Sequence, residues 1–170
     1  NAPGDDRPTL TVTGPADKIS EGGPGVFTVA LSNTSTSATS LSLTLGNTGT
    51  RDATLGTDYA SSMVVTYRRS SDNTVVTETL TNGSSISLAA GETSFKVRVD
   101  TTADSPKVFE GDENFKLTAA TSWSSANASA TITDDGTGKV YDNTGALTAN
   151  TPDDDRPTLT VTGPADKISE

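Results

Sequence analysis

The acidic residues of one short stretch are the first candidates for chemistry. In "KVFEGDENF", the residues Glu110, Asp112 and Glu113 lie between two aromatic residues, Phe109 and Phe115. Carboxylates this close together repel one another and resist burial. They must either be solvated on a loop or be held together by a cation. We expect the two aromatic residues to anchor the ends of that loop in the core and the acids to turn away from it.

The composition narrows the chemistry that these acids could perform. The chain contains neither Cys nor His, which excludes zinc sites with nitrogen or sulfur ligands, Cys nucleophiles and Ser-His triads. Its net charge is −10, which argues against a nucleic-acid partner because phosphates need a basic surface. The metal chemistry that remains uses hard oxygen ligands and therefore calcium or magnesium. No apolar run is long enough to span a membrane, so we expect no membrane insertion.

An internal repeat organises the chain. The segment "DDRPTLTVTGPADKISE" at 5–21 recurs without change at 154–170. Such a repeat is typical of a tandem array. The sequence therefore predicts a folded repeat at 5–135, a polar inter-repeat linker at 136–153, and the incomplete first strand of the next repeat at 154–170. We expect the second copy of the segment to be unpaired within one chain, and to exchange strands with a neighbouring molecule at high concentration.

The elements that must position the acids are strands. Apolar residues alternate with polar ones in "TLTVT", "VFTVAL", "LSLTL" and "FKVRV", and Gly, Pro, Asn and Asp clusters separate these stretches. This period of two is typical of half-buried strands, and no stretch has a helical period. Residues 63–68 and 74–80 form a predicted hairpin. The pattern predicts an all-β fold, an antiparallel immunoglobulin-like β-sandwich of about 7–9 strands.

Most acidic residues fall where these predicted strands begin or end. In an up-and-down sandwich, alternate strand ends lie at the same pole, so several carboxylates could meet there. Calcium takes six to eight oxygen ligands, which loops at such a pole can supply. The alternative is that these acids only keep the surface soluble, and composition leaves both interpretations open. The acids concerned are Glu21, Asp58, Asp100, Asp104, Glu110, Asp112, Glu113, Asp134 and Asp135.

The order of several short motifs resembles a known family. The motifs "ISEGG", "GTDY", "AAGET", "VRVD", "FEGDENFKL" and "ATITDDG" resemble the Calx-beta motif of the calcium-binding domains of sodium–calcium exchangers. They are also similar to the calcium-dependent sandwich repeats of giant bacterial RTX-type surface adhesins. The resemblance covers roughly residues 8–136. It implies a Ca²⁺ site with the ligands Glu21, Asp58, Asp100, Glu110, Glu113, Asp134 and Asp135.

This chain departs from the family pattern at two places. The segment "VDTTADSPKV" is longer than in the family and interrupted, so either Asp100 or Asp104 supplies the ligand expected there. Residues 60–83 resemble an insertion between the "GTDY" and "AAGET" motifs. Glu92 of "AAGET" is expected in a turn and not at a metal.

The resemblance implies a structural and non-enzymatic function. We expect an extender module of a large adhesin that is secreted by a type I system to the bacterial cell surface, with neighbouring repeats of the same chain as partners. A chain without Cys has no disulfides to make it rigid. We expect calcium to supply this rigidity in each sandwich. Two alternatives remain: an adhesion module that binds a glycan or protein through residues 63–80 or Trp123, and a calcium sensor. The aromatic residues that line a sugar cleft are scarce, which argues against a glycosidase.

Overall fold

The computed structural model describes residues 6–163 as an all-β sandwich of two five-stranded sheets. The described residues form no helix, and hence none that could cross a membrane. The predicted all-β sandwich is confirmed, although ten strands exceed the predicted number because the segment that begins the repeat forms two short strands. The strands are β1 (Leu10–Thr13), β2 (Ile19–Ser20), β3 (Pro24–Leu31), β4 (Thr39–Gly46), β5 (Ser62–Arg68), β6 (Val75–Thr81), β7 (Ser85–Leu88), β8 (Ser94–Asp100), β9 (Glu113–Ala120) and β10 (Ser125–Thr133).

The first segment of the repeat contributes to both sheets. One sheet has the order β1-β3-β8-β5-β6 and the other the order β2-β10-β9-β4-β7. β1 pairs antiparallel with β3, whereas β2 pairs parallel with β10. Between them the chain crosses at Gly14, where a Cβ atom would lie 2.5 Å from the carbonyl oxygen of Ser129. Only glycine fits a crossing this close, so the sequence "TGPAD" ends one strand and redirects the chain to the other sheet.

The core lies between the sheets and is built from the alternating apolar residues. At the end of the core from which the acidic loops emerge, Tyr59 stacks on Phe115 with ring centroids 4.5 Å apart, and Phe27 meets Phe115 edge-on at 5.8 Å. All three rings are fully buried. Phe109, in contrast, is 47% exposed. The expectation that it anchors the acidic loop in the core is wrong, because it precedes β9 and no strand carries it between the sheets.

The predicted hairpin forms one edge of the first sheet. β5 and β6 pair along seven residues, from Ser62 with Thr81 to Arg68 with Val75. In the turn, the Asp72 carboxylate accepts a hydrogen bond from the Thr74 N–H at 3.0 Å and pairs with Arg69 at 3.1 Å. This carboxylate has a local role that needs no metal.

Residues 136–152, which fall in the predicted linker, lie against the sandwich. Lys139 forms a bridge with Ile19, and the Lys139 N–H donates to the Lys18 carbonyl at 2.8 Å. Tyr141 is buried among the core residues, and Gly145 packs against Val26. The division of the chain into repeat, linker and next repeat stays a prediction, but this stretch has specific contacts with the domain that precedes it.

The starts of the two copies of the repeated segment lie at opposite poles of the sandwich, and the first copy then runs to the pole where the second begins. In the first copy, the Pro8 carbonyl accepts a hydrogen bond from the Trp123 indole N–H at 3.0 Å. Trp123 lies in the turn between β9 and β10. In the second copy, the Asp155 N–H donates to the Asp134 carbonyl at 2.7 Å. Asp134 lies just past the other end of β10. The chain therefore enters this domain at one pole and leaves it at the other.

Candidate metal centre

The pole at which the chain leaves is strongly acidic, and strand register explains why. Pro24 pairs with Asp100, which places the start of β3 beside the end of β8. Ile132 pairs with Glu113, which places the start of β9 beside the end of β10. The loops that carry the acids therefore converge. We call this end the acidic pole, and its carboxylates are those of Glu21, Asp58, Asp104, Glu110, Glu113, Asp134, Asp153 and Asp155.

Three of these carboxylates form a compact group, which we call the central cluster. One carboxylate oxygen from each of Asp58, Glu110 and Glu113 lies within 4.8 Å of the other two. Asp58 is buried, Glu113 half-buried and Glu110 exposed, so the group opens toward solvent on one side. Three oxygens at this spacing, with room for water, match part of the six to eight oxygens that calcium requires.

Asp58 is held by the tight turn that precedes Tyr59. The Thr54 N–H donates to the Asp58 carboxylate at 2.5 Å, and the Asp58 N–H donates back to the Thr54 carbonyl at 2.9 Å. The Asp58 carbonyl accepts from the Thr102 N–H at 2.9 Å. Because the neighbouring Tyr59 ring is stacked in the core, this turn is fixed at the pole and orients the Asp58 carboxylate.

Asp134 holds the acidic loop in place. Its two carboxylate oxygens accept the backbone N–H groups of Glu110 at 2.7 Å and Gly111 at 3.1 Å. Gly111 has a φ of 81°, a conformation that favours glycine. Asp134 is almost fully buried, so it acts here as a positioning group that brings Glu110 to the central cluster. A carboxylate that accepts two hydrogen bonds still has lone pairs for a metal.

The carboxylates of the central cluster repel one another, which favours any event that reduces their negative charge. Burial, followed by the charges of Asp58 and Glu110, raises the pKa of Glu113 to about 7. Burial and the neighbouring charges of Asp104 and Asp58 also raise the pKa of Glu110. Two events relieve this repulsion: protonation, or binding of a cation. At neutral pH a divalent cation would replace the protons.

A second group of acids lies at the same pole, and we call it the junction cluster. One carboxylate oxygen each from Glu21, Asp153 and Asp155 lies within 4.8 Å of the other two. Glu21 follows β2, whereas Asp153 and Asp155 lie at the end of the predicted linker and the start of the second copy. Burial, then the charges of Asp104 and Asp155, raises the pKa of Glu21 to about 7.

The structure places the other predicted ligands outside both clusters. The Asp100 side chain is 56% exposed and pairs with Arg98 at 3.3 Å. Asp135 accepts hydrogen bonds from the N–H and hydroxyl of Thr137, which lower its pKa. Asp104 belongs to the acidic pole through its charge on Glu21 and Glu110. Which of the predicted residues bind a metal stays a prediction.

Glu92 lies in a turn, as its motif indicates. Its carboxylate accepts hydrogen bonds from the N–H and hydroxyl of Ser70 at 2.6 and 2.7 Å. These bonds lower its pKa. Glu92 therefore joins the turn before β8 to the tip of the hairpin and is not part of the acidic pole.

Sequence reasoning did not include Asp153 and Asp155 among the site residues. Both were assigned to the linker and the next repeat, so their contact with Glu21 of this repeat was not anticipated. The available signal was the run of three acids in "DDDRP" at the repeat boundary. A run of this kind beside a pole already rich in acids would be repelled unless a cation or basic group held it there.

Comparisons with known proteins give a likeness in fold and no match in sequence. No family model matches the chain, and no curated protein matches it. A solved structure described as the crystal structure of the apo-form Calx CBD1 domain covers 75% of this chain and 98% of its own length, at 16% identity and a TM-score of 0.47. The chain is similar to that domain. At this identity the likeness concerns the fold alone.

Proposed function

We propose that this domain is a non-enzymatic calcium-binding repeat and serves as an extender module of a large secreted adhesin on the bacterial cell surface. The observation that carries the proposal is the central cluster. Asp58, Glu110 and Glu113 are brought within bonding distance of one cation by two loops and the start of β9, although their charges repel one another. A fold that assembles this arrangement gains stability when a cation enters it.

Calcium fits the central cluster better than magnesium. The cluster lies on loops and opens to solvent, which suits the flexible coordination of calcium with water completing the shell. Magnesium requires near-ideal octahedral geometry and loses its waters reluctantly. The absence of Cys and His from the whole chain excludes ligand sets that zinc prefers.

The course of the chain supports an extender. Equivalent positions of the repeated segment, Asp6 and Asp155, lie at opposite poles, so successive repeats would follow one another end to end. A spacer of this kind requires stiffness more than specificity. Calcium bound at the central cluster would tie the Asp58 turn, the acidic loop and β9 together at the pole where the next repeat begins. Extracellular modules bind calcium at about 10⁻⁴–10⁻³ M, which suits a permanently loaded structural site.

The test is thermal unfolding with calcium, with magnesium and with chelator. We expect calcium to raise the melting temperature well beyond the effect of magnesium, since one site contributes about 2.7 kcal/mol at a hundredfold excess over its dissociation constant. Glu113→Gln should remove most of this gain. The matched control is Glu78→Gln, the same substitution at an exposed position of β6, which should keep it. Identical melts in calcium and chelator, or equal calcium responses of the two variants, would refute the assignment.

A further inference from the structure

The end of the linker and the start of the second copy are docked on the acidic pole through their backbone. The Asp153 N–H donates to the Ser20 hydroxyl at 2.7 Å, and the Asp153 carbonyl accepts from the Gly136 N–H at 2.9 Å. The Asp155 N–H bonds to the Asp134 carbonyl, within an antiparallel bridge between Asp135 and Asp154. This backbone pairing positions the carboxylates of Asp153 and Asp155 beside Glu21. These backbone contacts alone bring the three carboxylates together.

The three acids of "DDDRP" have different neighbours. The Asp154 carboxylate pairs with the Arg156 guanidinium at 2.6 and 2.8 Å and takes no part in the junction cluster. The Lys107 ammonium contacts Asp153, and it contacts Asp155 at 2.5 Å. Glu21, Asp153 and Asp155 carry three negative charges when ionised, and Lys107 supplies one positive charge. Two negative charges remain, which one divalent cation would balance.

Two carboxylate oxygens of the cluster are buried without a partner. The Asp155 side chain has no solvent exposure, and the Lys107 ammonium donates to its Oδ1 atom. Its Oδ2 atom and the Glu21 Oε2 atom are buried and have no hydrogen-bond partner among the described residues. A buried carboxylate oxygen without a hydrogen bond or a cation is unfavourable. Both atoms belong to the side chains that converge, and both have the chemistry of hard-cation ligands.

From these observations the structure assigns a second cation site, in which Glu21 of one repeat, Asp153 at the end of the linker and Asp155 at the start of the next repeat bind one calcium ion between consecutive repeats. The assignment deepens the proposed function and rests on it, since the cation would fix the next repeat to the pole that the central cluster stiffens. Lys107 is a positioning residue that neutralises the outer side of the site. Because the following segment supplies two of the three carboxylates, a repeat that lacks it would have an incomplete site.

The test is the number of calcium ions bound per chain, measured by calorimetry and by equilibrium dialysis on the full chain. We expect Asp155→Asn to lower this number by one. The matched control is Asp154→Asn, the same change at the adjacent residue, whose carboxylate faces Arg156; it should bind as many ions as the parent. Asp153→Asn provides a second variant and should weaken the same site at least tenfold. In chelator, Asp155→Asn should unfold no earlier than the parent, because it removes one of three carboxylates that repel one another while Lys107 keeps its contact with Asp153.

The outcomes separate this assignment from the proposed function. Equal calcium numbers for Asp155→Asn and the parent would overturn the junction site and show Lys107 to be its only counter-ion. If Glu113→Gln also loses calcium in that case, the proposed function stands alone. If Asp155→Asn loses an ion while Glu113→Gln binds as the parent does, the junction site stands and the central cluster is wrong. A parent chain that binds no calcium overturns both.

Discussion

The two copies of the repeated segment have the same sequence and opposite surroundings. In the first copy, Leu10 is 6% exposed, and its segment pairs with β3. In the second copy, the equivalent Leu159 is 91% exposed, and residues 157–163 form no strand. The acids show the reverse pattern, since Asp6 is exposed and its equivalent Asp155 is buried. Burial of these residues is therefore decided by their neighbours and not by local sequence.

The difference indicates that the segment has two parts with separate contacts. The acidic head, represented by Asp155, packs on the acidic pole of the sandwich. The strand that follows, represented by Leu10, fits the edge of its own sandwich. In this chain each part is buried in one copy and exposed in the other. In a tandem array each segment would use both parts, so it would connect two domains.

The largest expected effect compares one substitution in the two copies. Leu10→Ala should lower the free energy of unfolding by about 2–4 kcal/mol, because it leaves a cavity in the core. Leu159→Ala should change it by less than about 0.5 kcal/mol, because the side chain is exposed. Urea unfolding in the presence of calcium measures both values. Equal, small effects would mean that the second copy replaces the first in the β1 position when Leu10 is truncated.

The strands could be predicted from the sequence because each has a period of two against a common core. Leu43, Val97 and Leu117 are fully buried at positions that the alternation indicates. The convergence of acids at one pole also followed from where the strands end. These features depend on contacts within one repeat, which local pattern and chain order largely determine.

The features that sequence reasoning missed depend on which surface packs against which. Phe109 has the same aromatic character as Phe115, yet it lies outside the strand period and is exposed. Tyr141 lies in a polar segment typical of a linker, yet it is buried against the sandwich. Asp155 is buried only because the acidic pole receives it. No periodicity encodes a contact between Asp155 and Glu21, which lie far apart in the chain.

A second comparison concerns the acidic heads. Asp155→Asn should remove part of the stabilisation by calcium, up to about 2.7 kcal/mol at a hundredfold excess of ion over the dissociation constant. Asp6→Asn should leave it within about 0.5 kcal/mol of the parent, since Asp6 is exposed. Thermal melts with and without calcium measure the gain. If the two variants respond alike, the acidic head has no role at the pole that receives it.

The pH dependence of the metal-free chain involves both copies, because Glu21 of the first copy lies beside Asp155 of the second. The pKa values of Glu21 and Glu113 are raised from 4.5 to about 7. The folded chain thus binds more protons than the unfolded chain between these values, and stability falls as pH rises from about 4.5 through 7. After screening by solvent, we expect a loss of about 1 kcal/mol for each carboxyl group.

Calcium should reverse this trend, because it binds the ionised carboxylates and displaces their protons. Its stabilising effect should be small at pH 5 and reach its full value near pH 8. Melts in chelator and in calcium across this range test both directions. Glu21→Gln should flatten the chelator profile partly, whereas Glu78→Gln should leave it unchanged. A metal-free chain that becomes more stable from pH 5 to pH 8 would contradict the cause given for the raised pKa values.

The smallest expected effect comes from removing the exposed part of the second copy. Deletion of residues 157–170 removes Leu159 and Val161, which are 91% and 84% exposed, and retains the docked acids at 153–155. The calcium-bound melting temperature should therefore hardly change. Self-association at high concentration, measured by sedimentation, should fall, since the removed segment has the sequence of a strand and can pair with another chain. Deletion of residues 153–170 should differ by lowering the calcium-bound melting temperature, because it removes two carboxylates of the junction cluster. If the shorter deletion already unfolds the domain, the strand of the second copy belongs to the core, and the repeat must be taken to begin at the linker instead of residue 5.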